Sequence, residues 1–260
     1  MKHGRFDTDT AALEARIRAH EEFGAADLNQ WIFDHFDLAE GQHVLDIGCG
    51  TGKQTLPMAE QVATGGRVVA VDISEEAVAA VREGARAAGL HDRLQAMCAN
   101  LDNIADDLQG QRFNRVLACY SLYYASAPER VFATVHELLW PGGVFFFCGP
   151  SARNNRELKD FQAAIKGEAR AEATPASVFM EQTGPALARE LFWKVEIFTF
   201  ENPLRFDSAE ALHGYWKSHN LYEEALEASF KASAAVHFHT HAVFETVKRV
   251  TGIRATKAAA

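Results

Sequence analysis

Five short apolar runs alternate with segments of helical spacing between residues 43 and 150, and no other feature limits the fold as much. The runs are HVLDIG, GGRVVAVDIS, RLQAMCANL, NRVLACYSLYY and PGGVFFFCGP. Each is nearly continuous in hydrophobicity, the pattern of a strand covered on both faces. Between them, GKQTLPMAEQVA, the stretch from Glu75 to Gly89, and APERVFATVHELL read as helices. Ser74 is the expected cap of the second, with Glu75 and Glu76 favourably placed in its first turn. Strands joined by helices of this length must pair in parallel, and right-handed crossovers then give a doubly wound, three-layer α/β sandwich.

The flanks carry different patterns. From Thr10 to Phe36 the spacing is helical, with Gly24 and Asp27 dividing two helices. After Pro150 the alternation breaks. RELKDFQAAIKGEARAE is read as a helix, WKVEIFTFENPLRF and FETVKRVTGIRA as two further strands, and residues 208–235 as a helical insertion between them. The expected organisation is a single domain over residues 1–260. It comprises N-terminal helices at 1–36, a ligand-binding core at 37–150, and a C-terminal part at 151–260 that contains the insertion. The four cysteines, Cys49, Cys98, Cys119 and Cys148, form no C-x-x-C pair. They read as buried reduced thiols in a cytoplasmic protein. The start of the chain lacks a signal-type apolar core, and no run of about 18 apolar residues predicts a membrane span.

VLDIGCGTG ends the first strand, the place where open parallel sheets bind ligands. Gly48, Gly50 and Gly52 allow a sharp turn and close approach of a ligand to the backbone. A dinucleotide fingerprint, G-x-G-x-x-G, wants glycine at position 53, where this chain has Lys53. Asp46, two residues before the first glycine, would face a pyrophosphate badly. It suits a ligand with an ammonium, a sulfonium and no phosphate, which describes S-adenosylmethionine. Asp72 ends the second strand, twenty residues beyond Gly52, where a carboxylate accepts both ribose hydroxyls. Asn100 and Leu101 end the third strand, placed to read an adenine edge, with Ile73 and Leu101 on either side of the ring.

On these motifs the chain resembles the class I S-adenosylmethionine-dependent methyltransferases, over about residues 25–150. VLDIGCGTG and VVAVDIS match the family's first two motifs, and LLWPGGVFFF its turn into strand 5. Asn100 and Asn114 stand where the family usually has acids. The resemblance implies a Rossmann-like seven-stranded sheet of order 3-2-1-4-5-7-6 with strand 7 antiparallel, and S-adenosyl-L-methionine as cofactor. Asp46, Gly48, Cys49, Gly50, Gly52, Asp72, Ile73, Asn100, Leu101 and Cys119 would then be its binding residues. The N-terminal helices would form a lid, or Trp31 and Phe33 would serve as ordinary core.

The acceptor side is read from the segment after strand 4. CYSLYY replaces the N/D-P-P-Y/F loop used on base and amide nitrogens, and a net charge of −9 opposes nucleic acid. A small-molecule acceptor, methylated on O, N or C, is therefore expected, with no membrane partner and a homodimer left open. Tyr120 and Tyr124 are the candidate catalytic residues beside Ser121 and Tyr123. His219 is a third candidate, from a cluster with His213, Tyr215, Trp216 and Tyr222. His237, His239 and His241 alternate in HFHTH, yet no acid or cysteine completes a metal set. Glu201 and Arg205 are expected to pair with each other at the surface. Two other readings remain open: a nicotinamide-dependent oxidoreductase, and a non-catalytic S-adenosylmethionine-binding protein.

Overall fold

Strand β1 (His43–Ile47) is buried between two parallel neighbours, β2 (Arg67–Asp72) and β4 (Phe113–Cys119). Leu45 lies opposite Val69 on one side and Val116 on the other. β3 (Leu94–Cys98) pairs with β2, and β5 (Leu139–Pro150) with β4. β6 (Lys194–Phe206) and β7 (Phe244–Thr256) complete a mixed seven-stranded sheet of order β3-β2-β1-β4-β5-β7-β6. This architecture comes from a computed structural model that describes residues 23–169 and 172–260. The strand order is the one expected from the sequence; most of the expected N-terminal lid lies outside the described residues.

The chain divides into two compact units, whose boundaries fall within β6 and β7. The sheet unit comprises Leu28–Pro150, Pro175–Thr199 and Thr251–Ala260. Its longer helices before residue 150 are α1 (Leu28–Phe36), α2 (Thr55–Gln61), α3 (Glu75–Ala87) and α4 (Pro128–Leu138). The Ser74 hydroxyl caps α3 by accepting the Ala77 N–H at 3.2 Å, and Gly89 follows its end at φ +69°. Phe132 of α4 meets Phe145 and Phe147 of β5 edge-on, with ring centroids 5.5 and 5.3 Å apart. A turn of π-helix at Phe179–Thr183 follows Pro175–Val178 and leads into the next helix of this unit, Gly184–Leu191. The sequence announces no helix there: its apolar residues follow no simple 3.6-residue spacing, because the wider turn shifts the face that is buried.

Of the described residues, the helical unit contains 23–27, 151–169, 172–174 and 200–250. Arg156–Lys166 forms a helix of this unit, shorter than expected because Gly167 takes φ +75° and ends it; the Glu168 N–H then bonds back to the Ala163 carbonyl at 2.9 Å. The expected insertion is two helices, Ala209–Ser218 and Glu227–Thr240, so HFHTH ends a helix and is no strand. Trp216 is fully buried at their junction, stacked on Phe230 at 4.1 Å. Its indole N–H donates to Gln162 Oε1 at 2.8 Å, which answers the one polar group such a ring brings inside. His237 and His241 stack at 4.4 Å, and no metal-binding group of three side chains exists among the described residues. Glu201 and Arg205 do not pair with each other as expected. Glu201 meets Arg249 at 2.8 Å, and Arg205 meets Glu245 at 3.1 Å. Both partners lie on β7, and only the tertiary fold brings them near.

Gly252 tests the packing of α1 on the sheet. A Cβ there would lie 2.5 Å from the Trp31 ring and 2.9 Å from Phe146. Gly252→Ala is expected to lower stability by about 1–3 kcal/mol through overpacking, read as a lower urea midpoint with an unchanged slope.

Candidate active site

The carboxyl ends of β1 to β4 bring the sequence-predicted groups of the sheet unit together. After Ile47 the chain turns with Gly48, Gly50 and Gly52 at φ +75°, +51° and +91°. The N–H groups of Gly48 and Cys49 both reach the Val71 carbonyl, at 2.8 and 3.0 Å, which fastens the turn to β2. The three glycines have different reasons to be glycine. A Cβ at Gly48 would lie 2.3 Å from the Ser121 Cβ, and one at Gly52 would lie 3.1 Å from Val81. Only Gly50 faces open space, with nothing within 4 Å. Close approach of a ligand to a bare backbone is thus offered at Gly50, while Gly48 and Gly52 serve packing.

Ser121 does more than border the acceptor side, where the sequence places it. It is buried against Gly48, and its hydroxyl donates to the Ile47 carbonyl at 2.7 Å. The end of β4 is thereby tied to the end of β1. The expected strand through Tyr124 stops at Cys119, because Tyr120 adopts φ +59° while its N–H bonds to the Cys148 carbonyl at 2.8 Å. A left-handed tyrosine is strained and occurs where neighbouring structure holds it. Tyr120 and Tyr124 are half-buried, and Tyr123 is buried with its ring 4.7 Å from that of Tyr124.

Asp72 is half-buried and accepts two backbone N–H groups, from Gly50 to Oδ2 at 2.8 Å and from Ser74 to Oδ1 at 2.9 Å. Each oxygen has a second lone pair left for a ligand hydroxyl. Ile73 beside it is 58% exposed, a large apolar side chain bare at the rim of the turn. Leu101 is half-buried and Asn100 is exposed. Asn100 Oδ1 accepts the Asp102 N–H at 3.0 Å, capping the short turn Leu101–Asn103. Asp102 in turn accepts the Ser126 and Ala127 N–H groups at 3.1 and 3.2 Å, securing the entry to α4.

Asp46 is only 2% exposed, and its Oδ2 accepts the Thr55 hydroxyl at 2.6 Å. Burial raises its carboxyl from 3.8 to about 7; the Thr55 bond opposes the rise and the nearby Asp72 charge adds to it. Cys49 is buried beneath the turn, and its thiol is pushed up by burial and then by Asp46 and Asp72. Cys119 and Cys148 are cross-strand partners with sulfurs 3.6 Å apart. All four cysteines are free, but Cys98, expected inside, is exposed at the end of edge strand β3. Sequence reasoning missed Thr55: a hydroxyl nine residues from an acid signals nothing until the turn folds it back.

His219 belongs to the helical unit, one residue beyond the helix Ala209–Ser218. It is 7% exposed, its Nδ1 accepts the Leu221 N–H at 3.3 Å, and its Nε2 lies 3.0 Å from the Asn155 amide. His213 is separate from it, 3.1 Å from Glu227.

Two outcomes are expected from these contacts. Gly48→Ala should cost about 1–3 kcal/mol through its clash with Ser121. Gly50→Ala should cost only the left-handed strain of about 1–2 kcal/mol, both read by urea unfolding. The raised Asp46 carboxyl holds a proton in the folded state that the unfolded chain releases above pH 4. Stability should therefore fall as pH climbs from about 4 to about 7, by on the order of 4 kcal/mol across the window. Asp46→Asn keeps an acceptor for Thr55 and removes the titration, so its urea midpoint should vary much less between pH 5 and 8.

Residues 38–221, more than half of the chain, match a family described as "Methyltransferase domain". A ubiquinone biosynthesis O-methyltransferase of Azotobacter vinelandii is 32% identical over 137 residues, 53% of this chain and 54% of that protein. A demethylmenaquinone methyltransferase of Symbiobacterium thermophilum is 31% identical over 119 residues, 46% and 47% of the two chains. The chain spans about half the length of the curated relatives it matches. Among solved structures, that of the [4+2]-cyclase SpnF shares the fold, with TM-score 0.55 and 16% identity over 96% of this chain and 94% of the other. With its sheet order, glycine turn and family match agreeing, the chain belongs to the methyltransferase-domain family, within the class I S-adenosylmethionine-dependent methyltransferases.

Proposed function

We propose that the protein moves a methyl group from S-adenosylmethionine to a small-molecule acceptor. The observation that carries this reading is the pairing of Asp72, held by the Gly50 and Ser74 N–H groups, with the open space over Gly50. A nucleoside fits that pairing: its ribose hydroxyls donate to the spare lone pairs of Asp72, and the bare backbone at Gly50 admits the chain beyond the sugar. Ile73 and Leu101 would flank the base, and Asn100 would donate to a ring nitrogen. Asp46 acts from below, fixing the turn through Thr55. The cofactor supplies a methyl group already electrophilic on a sulfonium.

This chain's own contribution is alignment. Holding two reactants in attack geometry supplies about 7–11 kcal/mol of a displacement barrier. Tyr120, fixed by its bond to Cys148, and Tyr124 beside it are the groups assigned to orient the acceptor or receive its proton. Relatives named for ubiquinone and menaquinone methylation support an oxygen-bearing ring as the acceptor class. His219 lies in the helical unit, where its Nδ1 accepts the Leu221 N–H. The second reading keeps the binding and drops the methyl transfer. It draws on the fold shared with a cyclase, because one scaffold hosts unrelated chemistries.

Calorimetric titration tests the proposal. S-adenosylmethionine should bind and NAD should not. Asp72→Ala should weaken binding by about tenfold or more through lost ribose hydrogen bonds. Tight NAD binding without S-adenosylmethionine binding would refute it. Tyr120→Phe and Tyr124→Phe should lower turnover more than cofactor affinity; binding without turnover on any acceptor would favour the second reading.

A further inference from the structure

Among the described residues the sheet ends in two edge strands, β3 and β6, and they are finished differently. β3 is five residues long, and Arg82 lays its guanidinium on the Ala96 carbonyl with bonds of 3.0 and 2.7 Å. A short edge whose backbone is taken by a cation resists pairing with another chain. β6 is thirteen residues long. Its first half, from Lys194 to Thr199, belongs to the sheet unit and contains no proline. Among the described residues, no side chain takes its backbone in the way of Arg82. It carries bare apolar surface instead. Trp193, at the bend that opens the strand, is 74% exposed, and Ile197 is 48% exposed.

Lys194, Glu196 and Phe198 share one face of the strand. The Lys194 ammonium meets Glu196 at 2.8 Å, and the Phe198 ring lies 4.2 Å from that of His35 on α1. Val195 and Ile197 alternate onto the other face, where Val195 packs on the core that contains Leu187 and Phe192. A second copy of the strand, turned antiparallel about a two-fold axis, meets the first reciprocally: residue i faces j, and j faces i. Paired residues lie on the same face of a joined sheet, so the axis must pass beside a residue. With the axis beside Val195, Lys194 of each copy stands opposite Glu196 of the other, and Trp193 opposite Ile197. Moving the axis one residue either way sets Lys194 against Lys194 or Glu196 against Glu196. Like charges directly opposite are destabilising. Charge therefore selects one register, and in that register the bare apolar side chains cover each other.

We propose that the protein forms a two-fold dimer in which the outer edge of β6 pairs with the same edge of a second copy, centred on Val195. The partner is another copy of this chain because the edge is complementary to itself, in charge at Lys194 and Glu196 and in apolar surface at Trp193 and Ile197. Backbone N–H and C=O groups on the outer side of Lys194–Thr199 supply the ladder. Each copy offers one such edge, and Arg82 guards the other end of the sheet, so the assembly closes at two. The dimer needs no ligand and is independent of the methyl-transfer reading.

Sedimentation equilibrium of the full chain, from about 1 to about 100 μM, tests the proposal. The parent protein should reach twice the chain mass within that range. Ile197→Lys puts a charge against Trp193 of the second copy and should weaken the dimer by about tenfold or more. Lys194→Glu alone, or Glu196→Lys alone, sets like charges opposite each other at two points and should weaken it by about tenfold. The two reversals together only exchange the signs, and should restore the parent dissociation constant to within about threefold. All three positions lie on the strand's exposed edge, and urea unfolding of each variant checks that the fold is kept. A parent protein that stays monomeric, or grows beyond two chains, would overturn the proposal. So would a dimer indifferent to Ile197→Lys, or a double reversal no tighter than either single one, since both would place the interface elsewhere.

Discussion

One carboxylate organises the candidate site. Asp72 ends β2 and accepts one N–H from the glycine turn and one from the start of α3. Without it, the Gly50 N–H would point at the site unanswered, and the turn would have no fixed distance from the second strand. Charge-assisted bonds of this kind are short and directional, so they set geometry as well as energy. The ligand groups assigned to Asp72 would use lone pairs whose directions those two amides have already set.

Below that layer, the glycine turn divides its labour. Gly48 gives room to Ser121, which joins the ends of β1 and β4; Gly52 gives room to the flank of α3; Gly50 alone opens outward. The joint at Ser121 adjoins the strained backbone of Tyr120, so the glycine turn and the end of β4 share one hydrogen-bonded seam. Buried Asp46 works as part of this scaffold. Its carboxyl, raised to about 7, lets the turn lie over an acid that holds its proton through the weakly acidic range.

The helical unit obeys another logic. Its core is aromatic, centred on Trp216 and Phe230, and its polar groups are few and placed. Gln162 answers the Trp216 indole N–H, whereas Asn155 keeps one end of its amide unanswered.

Much of the sheet unit was legible from residue order. Continuous apolar strands, the Ser74 cap, the glycine turn and Asp72 are local signals, each caused by backbone geometry within a few residues. The resemblance supplied the positions of β6 and β7 in the sheet, which periodicity alone does not. The π-helical turn after Pro175, the pairing of Glu201 with Arg249, the Thr55 bond to Asp46 and the contact of His219 with Asn155 were not legible. The three contacts depend on groups distant in sequence meeting at hydrogen-bond distance, and the wide turn on packing that overrides the usual helical period. The sequence by itself determined the strand–helix alternation, the glycine turn and its acids, because those rest on local conformational preference and hydrophobic period. Only the tertiary structure decided which glycine opens outward, which acid is buried and which amide lacks a partner, because burial and hydrogen bonding are properties of neighbours in space.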